Sequence, residues 1–322
     1  MYLRAVVRLF FGNNAWVLLA LPLIIFGYVW LNFQTGYYVQ EETSNLGFWG
    51  EALVIYPVLA GILSAVLIFI NAVSINWIYN SNEFMDRNSY LSSLLYVVLL
   101  SYYHSFYSID GLLLSHTFLI LMMNRLFSLS QHEDGKREVF NGMFLAGMAA
   151  TFHPPLMGLF PLLLFMIWVI RPFVMREFIL AIGGFSIPLL YAGVYLWLSG
   201  NDLELKLLEQ VTDYTNKQTD FLITAILFTL LFLLSIVSIR LRTQKSSLRL
   251  KKLINILWWF LLLGLILGGG DYIMYGQIER FSFIMIPLSI FMTFAFIHKT
   301  YGMFATILFY FALIYSGLKF FI

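Results

Sequence analysis

The chain reads as an all-α, polytopic bundle of transmembrane helices, and three observations carry that reading. Hydrophobic residues make up 61% of its 322 positions and charged residues only 11%, against about 45–50% and about 25% in soluble domains. Apolar runs near the roughly 20 residues that cross ~30 Å of hydrocarbon recur along the sequence. Lys and Arg are shared unevenly between the connections. A soluble core could not hide this much apolar side chain behind so few charges.

The elements follow in chain order. Met1–Asn14 carries Arg4 and Arg8, with no small-residue cleavage site after the first apolar run, so no cleavable leader is expected. Phe10-Phe11 ahead of Gly12-Asn13-Asn14 marks a short interfacial segment. Eleven spans are then predicted: Ala15–Phe33, Ala52–Ile75, Leu91–Tyr107, Gly111–Leu129, Val139–Phe152, Leu156–Ile170, Phe178–Leu198, Phe221–Ile239, Leu253–Gly268, Phe281–Ile297 and Tyr301–Phe321. The fifth and sixth are short and meet at His153-Pro154-Pro155, where two prolines remove two N–H donors. That break predicts a tight reversal between two helices; one long kinked helix is the alternative. Gly200–Asp220, with five aliphatic residues among Glu204, Lys206 and Glu209, predicts an amphipathic stretch on the outer surface. Residues 1–322 form one transmembrane domain, and no soluble domain is expected.

Charge sets the orientation. With the N-terminus in the cytoplasm and the sides alternating, only Lys206, Lys217, Arg280 and Lys319 of the 19 basic residues lie outside. The C-terminus is then periplasmic. This is the positive-inside bias of an inner-membrane protein. A single kinked helix would instead push the basic run Arg240–Lys252 outside.

Composition also excludes classes of function. No cysteine is present, which removes disulfide scaffolds, thiol catalysis and Cys-ligated metals. A net charge of +2 without a basic domain argues against nucleic acid as a partner. No Gly-Lys-Ser/Thr phosphate loop occurs, so no ATPase module is expected.

The candidate site residues fall at outer span ends. Glu41 and Glu42 lie near the membrane among Tyr37, Tyr38 and Trp49, where a carboxylate can act as a general base or hold a divalent ion. A solvated polar turn reads the same way. His153, held out of the helical region by Pro154, suits acid/base work or phosphate binding, or the bonding of a carbonyl freed by the helix break. His104 and His116 flank one outer turn that carries Asp110, and the three suggest a polar cavity wall; they lack the helical spacing of a metal site. The segment Gly268–Arg280 reads as an outer loop whose three leading glycines allow close approach to a ligand or a neighbouring helix. Arg280 offers a guanidinium fork for phosphate, or a partner for Asp271 or Glu279.

Phe84-Met-Asp-Arg-Asn-Ser-Tyr-Leu91, Phe152-His-Pro-Pro-Leu-Met-Gly-Leu-Phe-Pro161 and Phe10-Phe11-Gly12 resemble segments of an uncharacterised polytopic inner-membrane family of Bacteroidota. More distantly, the layout resembles the membrane domain of GT-C glycosyltransferases. That resemblance implies many spans, broken helices, a lipid-phosphate donor and an acidic first outer loop, here Glu41 and Glu42. The first loop is short, and no paired Asp-Asp or Asp-Glu motif is evident. Three functions are therefore expected to compete. The first is a lipid-linked glycosyltransferase acting on or binding a polyprenyl-phosphate sugar at the outer leaflet, with Glu41, Glu42 and His153 catalytic and Arg280 on the phosphate. The second is a non-catalytic subunit of a cell-envelope assembly for secretion, motility or glycan export, with other integral membrane subunits as partners. The third is a transporter, disfavoured by the scarcity of acidic residues inside the spans. Membrane lipids are partners in every case.

Overall fold

In hydrocarbon every backbone N–H and C=O must find a partner within the protein, and a helix satisfies them locally. The computed structural model meets that demand almost wholly with helices. It describes residues 5–38, 43–53, 56–131, 134–199, 218–244, 246–297 and 301–321. Helix α1 (Ala5–Phe10) precedes α2 (Ala20–Thr35), which is entered through a 3₁₀ turn from Ala15. Two short antiparallel strands, β1 (Thr43–Asn45) and β2 (Glu51–Leu53), lead to α3 (Pro57–Ser81). Then come α4 (Leu91–Leu100), α5 (Gly111–Leu129), α6 (Lys136–Phe152), α7 (Phe160–Ile170), α8 (Met175–Leu198), α9 (Gln218–Gln244), α10 (Leu248–Tyr275), α11 (Met285–Thr293) and α12 (Tyr301–Leu318). Seven helical stretches are long and apolar enough to cross a membrane, and Leu91–Leu100, Pro154–Ile170 and Gly302–Leu318 are shorter apolar ones. The chain is a helical bundle of the multi-pass membrane type.

The bundle is built around α4 and α11. Every residue of both is buried, as expected of helices apolar on all sides. At the periphery, the turn before α2 exposes Trp16, α2 exposes Leu23 and Trp30, and α8 exposes Leu190, Val194 and Trp197. Such large apolar side chains suit contact with lipid tails. Helices α6 and α8 approach closely through glycine: a Cβ on Gly147 would meet the Phe185 carbonyl at 2.5 Å, and one on Gly184 the Phe140 carbonyl at 2.7 Å. Close small-residue contacts of this kind replace the hydrophobic drive that lipid cannot supply between helices.

The break after Phe152 is a reversal. A 3₁₀ segment, Pro154–Leu159, joins α6 to α7. Arg171, at the end of α7, pairs with Glu177 at 3.5 Å. Glu177 in turn accepts from the Gly135 N–H, at the start of α6, at 3.3 Å. The far ends of the two short helices are therefore neighbours, which a single kinked helix does not allow. On the reversal itself, Trp49 Nε1 donates to Thr151 Oγ1 at 3.1 Å. Gly47 and Gly111 both lie where a Cβ would strike the Phe152 carbonyl. The turn between the strands, at Gly47 with φ +66°, thus caps the end of α6.

Three boundary differences bear on the site. The second span begins at Pro57, not Ala52, because residues 51–53 pair with 43–45. The third helix stops at Leu100, and the chain turns before a 3₁₀ turn at His104–Phe106. The ninth span does not end at Gly268: α10 runs to Tyr275 and is closed by Gly276 at φ +70°. Gly268-Gly269-Gly270-Asp271 is helix, not loop. The proposed surface stretch Gly200–Asp220 lies largely outside the described residues.

Candidate functional site

Asp271 and Glu279, expected in an outer loop, are both buried in helical segments, at 2% and 4% exposure. Their partners converge on one short element. Between α10 and α11 the chain forms a 3₁₀ segment, Glu279–Ile284. At 3.0 residues per turn, positions i and i+3 eclipse, so this segment has three separate faces.

The first face is Ile278, Phe281 and Ile284, which line a cavity of about 280 Å³. Tyr37, Tyr38, Tyr102 and Tyr103 contribute to it from two connections, and Thr224, Ala225, Phe228, Thr229 and Phe232 from α9. Thr224 to Phe232 is eight residues of helix, or ~12 Å along the axis. Leu261 and Leu265 close the α10 side, and Leu265 is 47% exposed, so the cavity reaches the apolar surface of the bundle. Its size lies near the lower end of small-ligand pockets, about 300–1,000 Å³.

The second face holds Glu279 and Ser282. The Glu279 carboxylate accepts from the His104 backbone N–H at 3.1 Å. The Ser105 backbone N–H also donates to it, and Asp110 and Lys319 lie within its electrostatic reach. Ser282 Oγ is 3.2 Å from His116 Nε2, whose Nδ1 is 3.2 Å from the Tyr96 hydroxyl. The third face holds Arg280 and Phe283. Arg280 Nη1 donates to Asp271 Oδ1 at 2.5 Å. Phe283 packs against His116 at 4.9 Å and His153 at 5.6 Å between ring centroids.

The glycines of α10 allow this packing. A Cβ on Gly268 would meet the Phe281 ring at 2.5 Å, and one on Gly264 the Ile284 backbone N at 2.9 Å. The close approach expected of the glycine run is made to a neighbouring element of the fold.

Each expected site residue can now be placed. Glu41 and Glu42 lie outside the described residues. His153 is buried beside Phe283 with its Nε2 unpartnered, so it does not bond a freed carbonyl through that atom. Arg280 is paired with Asp271 and does not line the large cavity, nor does His153. Arg280 and Phe283, against which His153 packs, lie on a different face of the 3₁₀ segment from the cavity. Asp110 caps α5 by accepting from the Leu113 N–H at 2.7 Å. His104 contacts Ser108 through Nδ1 at 3.1 Å. Among the described residues no three His, Asp or Glu side chains are grouped to hold a metal ion.

Sequence reasoning missed Lys319 and Glu279. Lys319 is 1% exposed. Its Nζ donates to the Tyr38 hydroxyl at 3.3 Å and to the Ser101 carbonyl. It lies 4.8–5.8 Å from the ring centroids of Tyr102, Tyr38, Phe320, Tyr107 and Tyr37. The signal was present as a lone cation in an apolar C-terminal run, but its aromatic box is assembled from three distant segments. No family model matches the chain, and no curated protein or solved structure matches it either.

Proposed function

We propose that the protein binds a long-chain lipid at the outer leaflet, of the polyprenyl-phosphate-sugar class, with the chain in the cavity between α9, α10 and the Ile278–Leu288 stretch. The observation that carries this reading is the cavity itself. It is apolar along ~12 Å of α9, reaches the exposed apolar surface at Leu265 and is bounded by four tyrosines from the connections after α2 and α4. Such a shape accepts a hydrocarbon chain sideways from the bilayer and leaves a polar end near the interface. Arg280 is no longer the phosphate clamp of this reading, because Asp271 already neutralises it. Any transfer chemistry rests on Glu41 and Glu42 as proposed bases.

The test fills the cavity. Wild-type protein released from nanodiscs is expected to retain polyprenyl phosphate in native mass spectrometry. Ala225→Trp is expected to lose it at least tenfold while keeping its melting temperature. Equal retention by both proteins, or none by the wild type, overturns the proposal.

We also infer eleven crossings with the N-terminus cytoplasmic. The uneven Lys and Arg distribution supports the orientation, and contacts between helix ends support the alternation. Tyr90–Phe10, Asn82–Gln131, Asp86–Arg242 and Gly135–Glu177 fall on one side, and Tyr38–Lys319, His104–Glu279 and Trp49–Thr151 on the other.

The buried carboxylates favour transport as the second reading, since acidic residues inside the spans are what proton coupling needs. Glu279→Gln is expected to abolish pH-gradient-driven uptake into liposomes under that reading, and to leave lipid retention unchanged under the first.

A further inference from the structure

We propose that Asp271, Arg280 and His153 form a recognition site for the hydroxyl groups of an uncharged sugar. The proposal rests on the lipid-carrier reading for its setting, as the head-group end of the same ligand class, and is tested apart from it.

Three buried polar atoms in this neighbourhood lack a partner among the described residues: Asp271 Oδ2, Arg280 Nε and His153 Nε2. Their residues are 2%, 9% and 9% exposed. Buried polar atoms are nearly always bonded, so three orphans in one place call for an explanation. They are close in space. Asp271 and Arg280 are bonded at 2.5 Å, Arg280 shares a face with Phe283, the His153 ring lies on Phe283, and Arg280 acts electrostatically on His153.

The chemistry of the set selects the ligand. Asp271 Oδ2 only accepts, Arg280 Nε only donates, and an imidazole nitrogen does either. The ion pair has no net charge. A phosphate would meet the free carboxylate oxygen of Asp271, and a metal cation would meet the guanidinium. A hydroxyl both donates and accepts, so adjacent hydroxyls of a pyranose satisfy Oδ2 and Nε together, with a further one on His153. The pair is exposed toward the end of α10, where the Arg280 side chain keeps 11% of its surface and Tyr275, 41% exposed, lies within electrostatic reach of the guanidinium; a glycoside would enter from this end, against the Tyr275 ring.

The experiment is saturation-transfer NMR on the full chain in nanodiscs free of glycoside detergent. The probes are methyl β-glucoside and methyl N-acetyl-β-glucosaminide, with inorganic phosphate as competitor. At least one glycoside is expected to show saturable transfer that phosphate does not displace. His153→Phe keeps a ring against Phe283 and is expected to reduce the signal at least fivefold. Tyr275→Ala, at an exposed position that leaves folding intact, is expected to reduce it at least twofold. Transfer from neither glycoside means that the three atoms are met by water, and overturns the proposal. Displacement by phosphate, or undiminished signal in both variants, overturns it too. Neither probe has a lipid chain, so Ala225→Trp is expected to leave this signal intact. No lipid retention by the wild type with glycoside binding present removes the carrier reading alone, and the converse removes this site alone.

Discussion

Lys319 Nζ and the Tyr38 hydroxyl are 3.3 Å apart across 281 positions of sequence, and this bond ties the end of α12 to the end of α2. Tyr38 passes the connection on by donating to the Tyr102 carbonyl at 2.9 Å, and Tyr102 donates to the Ala312 carbonyl at 2.5 Å. The result is a closed ring of contacts between the connection after α2, the end of α4 and α12.

Replacing Lys319 is therefore expected to loosen this end of the bundle. Lys319→Met keeps the length and removes the charge, the cation–π contacts and the bond to the Ser101 carbonyl. A desolvated cation–π contact contributes about 2 kcal/mol or more. The melting temperature in detergent should fall clearly for Lys319→Met and less for Lys319→Arg. No change in either would show that the aromatic box stands without its cation.

Gly268→Ala should distort the site more than its small size suggests. The added Cβ meets the Phe281 ring at 2.5 Å, and Phe281 lines the cavity. Overpacking of this kind typically destabilises by about 1–3 kcal/mol. Reduced accumulation and reduced lipid retention are expected together. Gly269→Ala, where a Cβ meets nothing within 4 Å, serves as the silent control.

Topology can be read with reporters. A phosphatase fused after Ile322 should be active only in the periplasm, and a fluorescent protein inserted near Gln244 should mature in the cytoplasm. The reverse pattern would exclude the eleven-crossing arrangement.

Acid should weaken one contact between α9 and the connection from α3 to α4. Arg242 bonds Asp86 through both terminal nitrogens, at 3.2 and 2.9 Å, and so holds its carboxyl below the usual carboxylate range. A carboxyl depressed in the folded state stabilises above its unfolded pKa, about 3.9. That contribution is lost as pH falls through the folded value. The pair is solvent-exposed, with the Asp86 side chain at 87%, so it is worth only about 0.2–1 kcal/mol. Asp86→Asn should speed amide exchange over residues 81–90 at pH 7 by about twofold and have little effect below pH 3.

The bundle was legible because its signals are local. A run of apolar residues announces a membrane helix by itself, and Pro154-Pro155 announces a break by itself. Gly268-Gly269-Gly270-Asp271 misled because glycine and aspartate resemble a loop when read alone; their helix is held by Phe281 and Ile284, which arrive later in the chain. Arg280, Asp271 and His153 were visible as unusual residues near outer span ends. Their division from the cavity was not, because it arises from the three-residue period of a 3₁₀ segment too short to show periodicity in sequence. Lys319 looked like an outer-surface charge because its five aromatic neighbours come from residues 37–38, 102–107 and 320.

The three-faced segment also fixes where this chain tolerates changes of length. One residue inserted between Ile278 and Phe281 would rotate all that follows by about 120°. Ser282 would take the position of Phe283, and Phe281 would leave the cavity wall for the polar face. Deletion would do the same in the opposite sense. Natural or engineered indels should therefore be purged from residues 278–284 and accumulate in the connections. A deep insertion scan would show that gap as a sharp trough some seven codons wide, marking the segment without any knowledge of its ligand.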